Sequence, residues 1–213
     1  MFAGVIWTQP CECLWEGELQ VQLYNLKMAE ELETERLLLR NWRDSDLETW
    51  IEMNQDVEVM RYFPKPLTRE EATAMRGRFQ IFLDEHEYGF WAVEVKGLDP
   101  FIGFVGLNDP RLDLTDMPSV EIGWRLHKSA WGKGYASEAA TRALSFGLKE
   151  LRIPEIVSFT STINRPSMKV MERIGLHRRT DLDFEHPRVE EGHILRPHVV
   201  YSSNPGATPV SSL

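Results

Sequence analysis

The chain has 213 residues, length enough for one domain with a sizeable core, and its 42% hydrophobic and 27% charged content is ordinary for a soluble globular protein. Its formal charge of −9 argues against a nucleic-acid partner, which needs a basic surface, and suits a cationic one such as an amine or a basic peptide. Cys11 and Cys13 alone make neither a disulfide framework nor a zinc site, and no apolar run reaches the roughly 18 to 20 residues of a membrane span, so no metal and no membrane are expected.

Taken in chain order, residues 1–31 read as an N-terminal extension without clear periodicity, and Met28 offers an alternative start. No basic n-region precedes Trp15, so a cytoplasmic, reducing setting is expected. The spacing predicts a domain over residues 32–201, opening with a strand at Arg36–Arg40. Asp44-Ser45-Asp46 is expected to cap a helix running through Leu47, Trp50, Ile51 and Asn54. Thr68-Arg69-Glu70-Glu71 reads either as a capping box shifted by one or as an acidic first turn, before a helix through Met75, Phe79, Phe82 and Leu83. Three strands follow at Gly89–Val95, Phe101–Leu107 and Ser119–Leu126, the first two joined by a Gly97-Leu98-Asp99-Pro100 turn.

Trp131-Gly132-Lys133-Gly134-Tyr135-Ala136-Ser137 then forms a glycine turn into a helix whose stripe is Ala136, Ala139, Ala140, Ala143, Leu144, Gly147, Leu148 and Leu151. Backbone N–H groups at the positive end of that helix make a site for a phosphate or pyrophosphate. A dinucleotide fingerprint would lack its third glycine here, and a Walker A loop would need Gly-Lys-Ser/Thr. Pro154 stops the helix, and Glu155–Thr160 is the next strand. Asn164-Arg165-Pro166 starts a short helix closed by Gly175. His198–Tyr201 is the last strand, and the uncharged residues 202–213 read as a disordered tail.

Strand alternation puts Glu121, Gly123 and Arg125 on one face and Val120, Ile122, Trp124 and Leu126 on the other. A mid-strand carboxylate beside a glycine suits proton abstraction from an ammonium; its competing reading is a partner for Arg125. Ser167 shares a stripe with Val170, Met171 and Ile174, where its hydroxyl serves either as a proton donor or as a first-turn cap. Asn164 reads as a cap that also contacts the ligand of the glycine turn. Of the six histidines none has metal-ligand spacing, and His127, His177 and His193 read as surface or rim residues. Trp50, Tyr62 and Phe63 are either a wall of the acceptor site or plain core.

Four segments carry a family resemblance: Val120–Trp124, Trp131–Ala139, Asn164–Ser167 and Met171–Leu176. Together, over about residues 32–201, they resemble the GNAT acetyltransferases, and most nearly the RimJ/RimL-type ribosomal-protein alanine acetyltransferases. In that family's Gln/Arg-x-x-Gly-x-Gly/Ala signature, Gly134 and Ala136 match and Trp131 replaces Gln or Arg. The resemblance implies an α/β (α+β) fold with a mixed, mostly antiparallel sheet of six to seven strands flanked by helices and splayed near its middle. It implies acetyl-CoA as co-substrate, with its pyrophosphate on the backbone of Gly132 to Ser137, charge from Lys133, and the pantetheine arm along Ile122, Trp124 and Leu126. Glu121 would act as base and Ser167 on the departing thiolate. The expected reaction is direct attack of a primary amine, from a protein N-terminus or a small molecule, in a ternary complex. The expected assembly is a monomer or homodimer. The alternative of a different class is a non-catalytic acyl-CoA-binding or sensing module.

Overall fold

The computed structural model describes residues 29–110 and 118–205. The expectations for residues 1–28, for the loop at 111–117 and for 206–213 lie outside them. Nine strands among the described residues form one sheet: β1 (Leu32–Glu33), β2 (Leu37–Arg40), β3 (Phe90–Val95), β4 (Asp99–Asn108), β5 (Glu121–Leu126), β6 (Val157–Ser161), β7 (His177–Arg178), β8 (Phe184–Glu185) and β9 (Pro197–Ser202). Their spatial order is β1-β2-β3-β4-β5-β6-β9-β7, with β8 also on β9. Six are long enough to carry an alternating pattern and match the expected count. The other three span two residues each, too short for any periodicity to mark them.

Every pairing is antiparallel except β5 with β6, which run parallel and share a register pair at Glu121 and Val157. Val157 N–H donates to Val120 O at 3.0 Å at that same point. Beyond it the two strands diverge, so Ile122–Leu126 and Ser158–Ser161 become opposite walls of a cleft.

Four helices cover the sheet: α1 (Leu47–Gln55), α2 (Arg69–Glu85), α3 (Tyr135–Ser145) and α4 (Arg165–Arg173). Successive residues of β3 show the two faces. Phe90 meets Phe79 of α2 with ring centroids 4.9 Å apart, while Trp91 meets Phe146, just past α3, at 5.9 Å. On the first face Trp42, Trp50, Phe79, Phe90 and Phe104 form a continuous aromatic layer. On the second, Ala139, Ala140 and Ala143 are fully buried, which lets α3 lie close to β4 and β5.

Several local details differ from expectation. Asp44–Asp46 is a short 3₁₀ turn ahead of α1, and the Asp46 carboxylate accepts from Arg43 N–H at 2.7 Å instead of capping the helix proper. The capping box at α2 is unshifted: Thr68 Oγ1 accepts from Glu71 N–H at 3.2 Å and Glu71 Oε2 accepts from Thr68 N–H at 2.8 Å. After Ser145 the α3 helix widens into a π turn over Phe146–Glu150, so its 3.6-residue stripe ends sooner than the sequence spacing suggests. At the far end, Ser202 is a fully buried member of β9 and Ser203 N–H donates to Ile156 O at 2.9 Å, so the fold runs past the expected boundary at 201.

Two ionic clusters hold this framework. Arg40 on β2 is fully buried and binds Asp46 bidentately at 2.8 and 2.9 Å, with its Nε on Glu94 at 2.9 Å and a further bond to Pro100 O. It ties β2 to β3 and to the chain entering α1. Near the glycine turn, Glu138 in the first turn of α3 accepts from Thr34 Oγ1 at 2.6 Å, Arg36 N–H at 3.0 Å and Arg36 Nε at 2.7 Å. Arg36 Nη1 also donates to Lys133 O at 3.1 Å, which pins the glycine turn to the start of β2.

Arg40→Ala is expected to destabilise the fold by about 3 to 5 kcal/mol in urea unfolding, because it strands the buried Asp46 charge. A loss under about 1 kcal/mol, the range of exposed pairs, would contradict that role. Burial raises the Glu138 carboxyl, but its hydrogen bonds from Thr34 and Arg36 outweigh this and leave it below its ordinary value of 4.5. Its contribution is therefore present above that value and lost as pH falls through the depressed one. Glu138→Gln should lower the thermal midpoint near pH 7 and match the wild type at strongly acidic pH; an equal deficit at both pH values would rule this linkage out.

Candidate active site

The cleft between β5 and β6 opens into a cavity of about 1060 Å³. The parting of the strands supplies part of its chemistry. Alternate strand residues aim their N–H and C=O groups at opposite neighbours, so the groups β6 has left behind face the cleft. Ile122 and Trp124 line it; the parallel pair with Val157 takes up the Ile122 N–H, and the open backbone begins beyond it. Leu126 does not offer all of its own, because Trp131 Nε1 donates to Leu126 O at 2.8 Å. That bond is what Trp131 does in place of Gln or Arg: it folds the turn back onto the end of β5.

At the same end lies the N-terminus of α3. Gly132 and Gly134 have φ of 76° and 83°, left-handed conformations that disfavour any side chain, and Gly134 is the N-cap with no side-chain capping bond. The first-turn amides are thus left to a ligand, at the positive end of the helix dipole. Gly132, Gly134, Tyr135, Ala136 and Ser137 all line the cavity. These features fit a pyrophosphate. Lys133 does not join them: its side chain is exposed and does not line the cavity.

On the opposite face of β5, Glu121, Gly123 and Arg125 also line the cavity. A Cβ at Gly123 would stand 3.2 Å from the Phe90 ring, so the glycine admits that ring between the two charged side chains. Burial pushes the Glu121 carboxyl up to about 7; the Asn108 hydrogen bond opposes this, the Asp109 charge adds to it and Arg188 opposes it. Glu121 does not pair with Arg125. The Arg125 guanidinium instead donates to Asn54 Oδ1 and lies over the Phe63 ring at 4.1 Å. Burial pulls its pKa down to about 10.

The third wall comes from β6 and α4. Asn164 caps α4, its Oδ1 accepting from Ser167 N–H at 3.3 Å, while its Nδ2 donates to Thr160 Oγ1 at 2.8 Å. These two bonds hold the wall in place, and Asn164 itself lines the cavity, with one Nδ2 hydrogen beyond the bond to Thr160. The buried stripe of α4 is Met168, Met171 and Ile174. Ser167 therefore sits at its edge, half-buried and lining the cavity.

Sequence reasoning missed several contributors. His186 and His198 line the cavity with ring centroids 4.8 Å apart. Burial, the neighbouring His198 and Arg188 hold His186 down to about 4, and burial also lowers His198, so both are neutral near pH 7. No spacing signal links them, because β8 and β9 bring them together only on pairing. Trp50 and Phe63, grouped as one candidate wall, separate: Trp50 is fully buried core with Nε1 on Ala72 O, and Phe63 lines the cavity beside Tyr62. The acidic net charge does not extend to the site either, since Arg61, Arg78, Arg125 and Arg188 all line it.

Comparison with known proteins agrees with this geometry. Residues 36–177 match the family described as Acetyltransferase (GNAT) domain. The Bacillus subtilis (strain 168) protein named uncharacterized N-acetyltransferase YnaD is 33% identical over 146 residues, covering 68% of this chain and 81% of its own. The FsC-acetyl coenzyme A-N(2)-transacetylase of Aspergillus fumigatus is 30% identical over 182 residues, covering 79% of this chain and 76% of its own. A crystal structure of a GNAT-family acetyltransferase from Bacillus anthracis superposes with a TM-score of 0.66 at 27% identity, over 81% of this chain and 97% of that one. With the uncapped α3 turn, the parted strands and the matched family in agreement, the chain belongs to the GNAT acetyltransferases and is an acetyl-CoA-dependent acyltransferase.

Proposed function

We propose that this acyltransferase acetylates a primary amine by direct attack in a ternary complex, with Glu121 as general base and Ser167 at the leaving thiolate. The RimJ/RimL-like branch is part of this reading and rests on the motifs at Trp131–Ala139 and Asn164–Ser167. The observation that carries the proposal is the pair of sites at opposite ends of β5: uncapped amides at the α3 turn, and a carboxyl with a pKa near 7 at Glu121.

Acetyl-CoA supplies an activated thioester; the chain must deliver a neutral amine to it. An ammonium cannot attack, so a group must accept its proton, and a carboxylate of ordinary pKa is a weak base for this. Glu121, raised to about 7, is better matched, directly or through a water. Gly132, Gly134 and the first turn of α3 would hold the pyrophosphate, and the edge of β5 from the Ile122 carbonyl through Trp124 would align the pantetheine arm. Ser167 Oγ has no hydrogen-bond partner among the described residues, which leaves its O–H to donate to the thiolate that leaves. Among the described residues, no thiol or serine is set against a histidine base in the cavity, so acyl transfer through the enzyme is not invoked.

The test is acetyl transfer to a panel of small amines and N-terminal peptides, followed by thiol release. Release with none of them, alongside tight CoA binding, would favour the non-catalytic binding module. For an active enzyme, kcat should rise with pH through about 7 as Glu121 loses its proton, and Glu121→Gln should lower kcat by about 10² to 10⁴ and remove that limb. A raised carboxyl pKa weakens the fold as pH rises through it, so the same variant should be at least as stable as wild type at pH above about 7. Unchanged activity in Glu121→Gln would overturn the base assignment. Ser167→Ala should lower kcat about tenfold with little change in KM for acetyl-CoA, the worth of one hydrogen bond to a charged group. A rise in KM alone would make Ser167 a binding residue instead.

A further inference from the structure

Arg125 is a charged group of the cavity wall that the reaction just described leaves without a task. Its side chain lies 9% exposed between Phe63, Trp50 and Phe104, with the guanidinium carbon 4.1, 5.8 and 5.8 Å from the three ring centroids. Among the described residues its hydrogen-bond partner is Asn54, a neutral amide, and no carboxylate pairs with it. Asn54 is itself fully buried and fixed, its Nδ2 donating to Trp50 O at 2.6 Å, so that Oδ1 faces the guanidinium. Asn54 takes Nη1 alone. Nε is shut away from water with no acceptor at all.

This contrasts with Arg40, also buried, whose Nε, Nη1 and Nη2 are all met by oxygens and whose charge faces two carboxylates. Burying a cation without a counter-ion is unfavourable by several kcal/mol. A structural role would be served as well by an apolar side chain in such an aromatic setting. The nitrogen left open is Nη2, which takes no partner among the described residues and is not shut away as Nε is, and it can donate a charge-assisted hydrogen bond to a carboxylate oxygen. Arg125 also stands four residues from Glu121 on the same face of β5, roughly 13 Å away between Cα atoms before either side chain reaches inward.

We propose that Arg125 selects the acceptor: the amine that this enzyme acetylates also bears a carboxylate, which docks on Nη2 of the guanidinium while the amine lies at Glu121. The inference rests on the reading of the cavity as an amine-acetylating site and narrows it. The net acidity of the chain points the other way, toward polycationic acceptors, but it is the local field at the cavity wall that a bound substrate meets.

The experiment compares primary amines that differ only in the anion: short ω-amino acids against their primary amides, and peptides with Asp or Glu against Asn or Gln beside the free N-terminus. Wild type should favour the acid in at least one matched pair by roughly tenfold or more in kcat/KM, the worth of a charge-assisted pair. In Arg125→Met the acid-to-amide ratio should fall toward one, and Arg125→Lys should keep the charge but only part of the preference. Equal turnover of acid and amide by wild type in every pair would overturn the proposal. So would a preference that survives in a folded Arg125→Met, or an effect of that variant confined to KM for acetyl-CoA.

If Arg125→Met fails to fold, the wild-type ratio decides alone. A binding arm separates this inference from the reading beneath it: glutarate and glutaramide, which carry no amine, are tested by thermal shift at matched ionic strength. Glutarate should raise the wild-type midpoint more than glutaramide does, and Arg125→Lys should lessen the difference. That result would stand even if no amine were acetylated, whereas no difference between the two probes, in an enzyme that also turns over no acid, would sink the proposal.

Discussion

The parting of β5 from β6 after a shared register pair at Glu121 and Val157 is the constraint on which the rest of the site depends. A sheet that stayed paired through Leu126 would consume the backbone groups that face the cleft and would close the cavity. Divergence is stable because each strand is supported from its other side. Antiparallel pairing with β4 runs from Asn108 and Glu121 to Gly103 and Leu126, and β6 pairs with β9 along its whole length. The α4 cap reinforces the far wall, since Asn164 bridges Thr160 of β6 to Ser167. The cleft is thus a gap between two well-paired half-sheets, held open without strain on either.

Burial then differentiates groups that an aqueous view would treat alike. Glu121, in the cavity wall, and Glu138, beside the glycine turn, are both carboxylates, yet one is raised to about 7 and the other is lowered. Glu121 has lost water with few compensating donors, whereas Glu138 has exchanged water for Thr34 and Arg36. The same contrast separates Arg40 from Arg125. In each pair the satisfied member holds the framework together, and the unsatisfied member lines the cavity.

Much of the framework was legible along the chain. The six longer strands, the helix after the glycine turn and the Asn164 cap each rest on residues a few positions apart, where alternation, capping and small-residue spacing express local preferences of the backbone. The candidates at Glu121, the glycine turn and Ser167 came from such patterns, and all of them line one cavity. What escaped detection was non-local. The three two-residue strands exist only as edges of longer neighbours, the His186–His198 pair requires β8 to lie on β9, and Thr34 reaches Glu138 across 104 residues.

By itself, the sequence determined the uncapped α3 turn, the two faces of β5 and membership of a family, because each depends on contiguous residues and their intrinsic geometry. Only the tertiary structure decided which charges are compensated. Arg125 meets Asn54 across 71 residues, and not Glu121 four residues away on its own strand face. The pKa of Glu121 is likewise set by its burial in the packed domain, opposed by Asn108 across the strand and by Arg188 far along the chain. Desolvation is a property of the packed volume, which no stretch of sequence contains.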